Sequence, residues 1–128
     1  MIVPINSVLI VEDDKTFQLY LKLLIKQEFP DTAIAQAYDG REALDYCDEP
    51  NNKFPDLILL DLNMPGMNGF DFLDAWETKY IDDNNKIVIL TSSDEERDKE
   101  KVRKYNFIET FVTKPVYNED IIELFQNY

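Results

Sequence analysis

Three short runs in this chain, residues 7–11, 56–60 and 86–90, are almost continuously apolar. A strand with that pattern is stable only when both of its faces are covered. That is the condition of a parallel sheet with helices packed on each side. Two further β-branched or apolar runs occupy residues 32–37 and 107–112. Between the runs the apolar spacing changes to that of helices. Phe17, Tyr20, Leu21, Leu24 and Ile25 share one face in the first such stretch. Ala43, Leu44 and Cys47 do so in the second, Phe72, Leu73 and Trp76 in the third, and Ile121, Ile122 and Phe125 in the last. Pro30-Asp31, Asp39-Gly40, Asn51-Asn52 with Pro55, and Pro65-Gly66 with Asn68-Gly69 punctuate the alternation with turn chemistry. The pattern predicts a (βα)5 doubly wound sheet in a single domain spanning residues 1–128.

The chain is large enough for that fold. Its 128 residues, 45% of them hydrophobic, can bury a core, and 30% charged residues can coat it. The longest apolar runs are far too short to span a bilayer, and residues 1–5 carry no basic segment of the secretory kind. Cys47 is the only cysteine, so no intramolecular disulfide can form, and a reducing cytoplasmic setting is expected. The net charge of −13 shows no basic stripe, which argues against direct nucleic-acid binding. The absence of histidine excludes His-based acid–base catalysis and a phosphohistidine carrier. Chemistry must come from carboxylates, hydroxyls, lysines and a metal.

In a doubly wound sheet, ligands collect beyond the carboxyl ends of the strands. Glu12-Asp13-Asp14 follow the first run, Asp61 and Asn63 the third, Thr91-Ser92-Ser93 the fourth, and Lys114-Pro115 the fifth. Acidic groups crowded at one edge repel each other, and a hard divalent ion such as Mg²⁺, with Mn²⁺ as an alternative, relieves the repulsion. A carboxylate kept ionised in this way, Asp61, can act as a nucleophile towards phosphorus. The Lys114 ammonium and the Thr91 hydroxyl are placed to neutralise the equatorial oxygens of the transferring group. Taken singly, most of these residues read as caps or solvated charges, Asp14 as a helix N-cap above all. Their succession at consecutive strand ends carries the functional reading.

Val8-Leu9-Ile10-Val11-Glu12-Asp13, Asp61-Leu62-Asn63-Met64-Pro65, Gly69, Leu90-Thr91-Ser92 and Thr113-Lys114-Pro115 together resemble the receiver domains of two-component response regulators, across essentially the whole chain. Asp39-Gly40 with Glu42-Ala43-Leu44 matches the same family's entry to its second helix. The resemblance implies a flavodoxin-like sheet of strand order 2-1-3-4-5. It implies a phosphoacceptor switch at Asp61, not a multiple-turnover enzyme. Mg²⁺ would be bound by Asp13, Asp61 and the Asn63 backbone carbonyl, with Glu12 acting through metal-bound water. Lys114 would contact the phosphoryl group across a cis Lys114–Pro115 bond. Thr91 and the aromatic at Phe111 would form the switch pair, here without a phenol oxygen. The implied partners are a sensor histidine kinase or a histidine phosphotransfer protein, and a downstream protein that reads the surface of the fourth helix, fifth strand and fifth helix. No membrane contact is expected, and a monomer is the default state. Asn63 and Ser93 are expected to tune the phosphoryl lifetime.

The segment before the fifth run, Lys104-Tyr105-Asn106-Phe107-Ile108-Glu109, departs from the small residues common in that family. The preceding helix, read over residues 94–104, has Val102 and Tyr105 as nearly its only apolar anchors. Glu95 with Lys99 and Glu100 with Lys104 are expected to pair along it. So thin a stripe predicts a helix that shifts easily. Two rival readings fit less of the sequence. A haloacid dehalogenase-type phosphatase would put Glu12 where its nucleophilic aspartate belongs and leave Asp61 without a role. A flavodoxin-like electron carrier would set Glu12-Asp13-Asp14 against a flavin phosphate.

Overall fold

The computed structural model describes residues 4–80, 86–92 and 96–127. Five strands alternate with five helices. In order they are β1 (Ser7–Val11), α1 (Lys15–Glu28), β2 (Ala33–Ala37), α2 (Gly40–Asp48), β3 (Leu57–Asp61), α3 (Gly69–Lys79), β4 (Lys86–Thr91), α4 (Glu96–Val102), β5 (Ile108–Thr113) and α5 (Asn118–Asn127). All four strand pairings are parallel, in the order β2-β1-β3-β4-β5. The doubly wound sheet expected from the apolar runs is the one found, in the flavodoxin-like strand order that the family resemblance implied.

The three central strands are buried along almost their whole length, which explains their unbroken apolar runs. The edge strands β2 and β5 are mostly half-buried or exposed and show a weaker pattern. One core cluster packs on one side of the sheet, with Leu9, Val11, Ile58 and Leu60 facing Leu44, Phe72, Leu73 and Trp76. The other side buries Ile10, Leu57, Leu59 and Val88 with Leu21, Ile25, Ile121 and Leu124. Successive residues of each strand thus serve opposite cores, as a strand's alternation requires. Cys47 of α2 is a buried free thiol in the first cluster.

Helix entries follow the cap chemistry of the sequence. The Asp14 carboxylate accepts from the N–H groups of Thr16 at 2.9 Å and Phe17 at 3.2 Å. Asp39 accepts from the Glu42 N–H at 2.8 Å. Asn68 and Asp71 form a reciprocal capping box on α3. Two glycines in the β3–α3 connection are required by geometry. Gly66 has φ +70°, and a Cβ on Gly69 would lie 2.7 Å from the Asp61 carbonyl oxygen and 2.6 Å from the Leu62 Cα. Gly69 therefore lets α3 start directly against the end of β3.

Three expectations are corrected. Strand β3 runs one residue further than the apolar run, so Asp61 is its last residue, paired with Leu90. Tyr20 is 40% exposed instead of packed, because its hydroxyl reaches out to donate to the Val116 carbonyl. Gln18, a polar residue, is fully buried on the same helix. On α4, Glu100 pairs with Arg103 instead of Lys104. The expected Glu95–Lys99 pair and the Ser93 position lie outside the described residues; Lys99 stands 3.5 Å from Glu96.

Candidate functional site

The loops after β1, β3, β4 and β5 meet at one edge of the sheet. Carboxylate oxygens of Glu12, Asp13 and Asp61 lie within 4.8 Å of one another. Glu12 is buried and Asp61 is 6% exposed, whereas Asp13 is open to solvent. The Glu12 carboxylate accepts from the Asp14 N–H at 3.0 Å and pairs with the Lys114 ammonium at 2.7 Å. That ammonium stands 3.8 Å from Asp61 and 4.7 Å above the centre of the Phe17 ring. The Lys114–Pro115 peptide is cis. The Asn63 N–H donates to Asp61 at 3.4 Å, and the Asn63 side chain donates to Asp98 of α4 at 3.1 Å.

The electrostatics follow from this crowding. Burial first, and then the charge of Glu12, push the Asp61 carboxyl up to about 7. Lys114 and the Asn63 N–H pull it down, and Asp13 adds to the rise. Lys114 alone does not neutralise three converging carboxylates. A divalent cation would, and an all-oxygen donor set with one solvent-facing member suits a hard ion that keeps part of its water.

Thr91 closes β4 beside Thr113 of β5. Its hydroxyl is buried and has no hydrogen-bond partner among the described residues. A buried polar atom in that state is an exception to the usual pairing of buried polar groups. Phe111 pairs with Ile89 in the sheet and is half-buried, with the Lys99 ammonium of α4 5.9 Å from its ring centre. Tyr105 is buried at the end of α4, and its hydroxyl donates to Asp74 of α3.

The structure therefore brings Glu12, Asp13, Asp61 and Lys114 into direct proximity. Thr91 stands at the neighbouring strand end, with Phe111 further out along β5. Sequence reasoning missed three contributors: Phe17 under the lysine, Asp98 across the mouth, and Gln18 beneath the acidic loop. Gln18 was detectable in principle. It stands three residues before Leu21 and seven before Ile25, on the packed stripe of α1.

The response regulator receiver domain family model matches residues 8–126. The chain belongs to that family, the receiver domains of two-component signalling systems. Over 92 residues it is 34% identical to the nitrate/nitrite response regulator protein NarL of Escherichia coli, an alignment that takes in 72% of this chain and 40% of that protein. The chain thus spans less than half the length of this curated relative. Among solved structures it resembles a two-component response regulator from Legionella pneumophila, with 28% identity, a TM-score of 0.82, and coverage of 93% of this chain and 94% of that one. A second, from Cytophaga hutchinsonii, gives 25% identity, a TM-score of 0.84 and 95% coverage of both chains. The phosphatase and electron-carrier readings fall with this assignment. Receiver domains are signalling switches that bind Mg²⁺ at an acidic pocket, and the acidic cluster here is Glu12, Asp13 and Asp61. No helix among the described residues is long and apolar enough to cross a membrane.

Proposed function

We propose that this receiver is a phosphoacceptor switch in which Asp61 takes a phosphoryl group from a phosphohistidine of a sensor kinase or a histidine phosphotransfer protein. The observation that carries the reading is the buried carboxylate of Asp61, pushed up to about 7 by burial and Glu12, with Asp13 open beside it and the Lys114 ammonium at 3.8 Å. Asp13, Asp61 and the Asn63 carbonyl would hold Mg²⁺, or Mn²⁺ in its place, with Glu12 acting through bound water. The ion, when bound, supplies positive charge to the carboxylates and to the transferring phosphoryl oxygens.

An Asp61 oxygen attacks phosphorus in line, forming the O–P bond as the P–N bond to the donor imidazole breaks. The leaving nitrogen keeps the bonding electron pair. Lys114 moves its attention from Glu12 to a phosphoryl oxygen, and the unpartnered Thr91 hydroxyl turns to donate to another. That movement opens space for the Phe111 ring, and Lys99 and α4 follow. The output is partner binding at the α4–β5–α5 surface. A groove of about 420 Å³ runs beside Val102, Tyr105 and Phe111, and another of about 460 Å³ beside Phe111, Lys114 and Tyr117. Cys47, a buried thiol without a disulfide, suits a cytoplasmic protein. A monomer that engages its kinase and target in turn completes the proposal. Asn63, bonded to Asp98 across the mouth, would control access of hydrolytic water and hence the phosphoryl lifetime.

Intact mass after incubation with Mg²⁺ and acetyl phosphate tests the chemistry. One added phosphoryl group is expected, dependent on Mg²⁺ and absent from Asp61→Asn. An unmodified, folded parent would overturn the reading.

A further inference from the structure

The acidic loop is gripped from beneath by a residue that no part of the phosphoryl chemistry uses. Gln18 is fully buried, although it is polar and sits on α1. Its side-chain nitrogen lies 2.9 Å from the Ile10 carbonyl, 3.1 Å from the Glu12 carbonyl and 2.8 Å from the Ala37 carbonyl. Its side-chain oxygen accepts from Gln36 at 3.2 Å. Its backbone N–H donates to the Asp14 carbonyl at 2.9 Å. One residue thus holds the carbonyls on both sides of Asp13, by its side chain at Glu12 and by its backbone at Asp14.

The Ala37 carbonyl also accepts from the Glu12 N–H at 3.0 Å. Gln18 therefore closes a small network that fixes where β1 ends, where β2 ends, and how the Glu12–Asp14 segment leaves the sheet. A buried amide with both ends satisfied has one orientation available, since rotating it would strand several carbonyls. Asp13 has little else to hold it: its carboxylate is exposed, and its position depends on the backbone beneath.

We propose that Gln18 is a positioning residue for the divalent-cation site, presetting the Asp13 and Glu12 carboxylates at the spacing the ion requires. The inference rests on the reading of the acidic cluster as an Mg²⁺ site. Groups that orient metal ligands without touching the metal typically contribute about 10- to 100-fold to affinity. Gln18 acts one bond further away, through the backbone, so the low end of that range applies.

Calorimetric titration of the folded protein with Mg²⁺, well below its melting temperature, tests the proposal. Gln18→Met keeps the length and burial of the side chain but donates no hydrogen bond. It is expected to weaken Mg²⁺ binding about tenfold. In an Asp13→Asn background the same substitution should cost less, because part of its effect passes through Asp13. A residue with only a structural role would lower the melting temperature and leave the Mg²⁺ affinity unchanged. Should Gln18→Met fail to fold, Gln36→Ala removes the second anchor of the carboxamide and should weaken Mg²⁺ binding in the same direction by less. Unchanged affinity in the folded variants overturns the role of Gln18 while leaving the receiver chemistry intact. A parent that binds no Mg²⁺ overturns both.

Discussion

The helices α1 and α4 flank the same site and are built in opposite ways. Helix α1 has 14 residues, a two-bond Asp14 cap, and Gln18, Leu21 and Ile25 fully buried. Helix α4 has 7 residues, of which only Val102 is buried. It is otherwise fastened by groups at its margins: Asp98 to Asn63, Lys99 over Phe111, Lys101 over the Phe70 ring, and Tyr105 just beyond its end to Asp74. Contacts of this kind are individually weak and can be exchanged for others at small cost, whereas a buried apolar stripe cannot. The site therefore joins a wall anchored by a buried apolar stripe, which carries the acidic loop, to a wall fastened by polar and ring contacts at its margins.

The largest expected effect tests the anchored wall. Leu21→Ala should cost about 2–5 kcal/mol in chemical denaturation, because the cavity it leaves lies between α1 and the sheet. A loss below about 1 kcal/mol would remove the contrast. Amide exchange should rank the helices in the same order, with α1 protected close to the global limit and α4 opening more readily; equal protection would break the comparison.

The next effect concerns the carboxylate between the two walls. Asp61 ionises near its ordinary value of 3.8 when the chain is unfolded and at about 7 when it is folded. Between those values the folded protein holds a proton that the unfolded chain has released. In the absence of divalent ions its contribution therefore makes the fold less stable as pH rises from about 4 to about 7, with the full penalty present above that. Asp61→Asn should remove that decline and raise stability at pH 7.5 by about 2 kcal/mol, roughly half the full linkage value because solvent reaches the mouth of the site. Melting curves across that pH range, parent against variant, measure it.

Two smaller effects sharpen the picture. Asp14→Ala should cost about 1 kcal/mol by stripping the α1 cap. Glu100→Ala, which breaks the exposed Glu100–Arg103 pair on α4, should change stability by less than about 0.5 kcal/mol. A larger cost would mean that α4 is held by its surface charges.

The sequence pattern made the sheet legible because β1, β3 and β4 are covered on both faces and have no choice but apolar residues. The strand-end rule then made Asp61, Asp13 and Lys114 legible without any contact being known. Other features obeyed forces that a one-dimensional pattern does not carry. Asp61 could not be read as part of β3, since a charge inside a strand looks like its end. Gln18 resembles a solvated residue until three carbonyls are found to converge on it. Tyr20 fits the helical stripe but is drawn outward by its hydroxyl bond to Val116. The link from Asn63 to Asp98 joins residues 35 apart and depends on how α4 sits over the loop.

The buried cysteine has a practical consequence. Burial, helped by the neighbouring charge of Asp48, pushes the Cys47 thiol up to about 12, so at neutral pH only about one molecule in 10⁵ would carry the reactive thiolate. An alkylating reagent can modify it only when α2 lifts from its neighbours. The chain thus contains a chemical clock with a single tick, on a helix that shares the core cluster of Val102 and Tyr105. Its labelling rate counts openings of the scaffold.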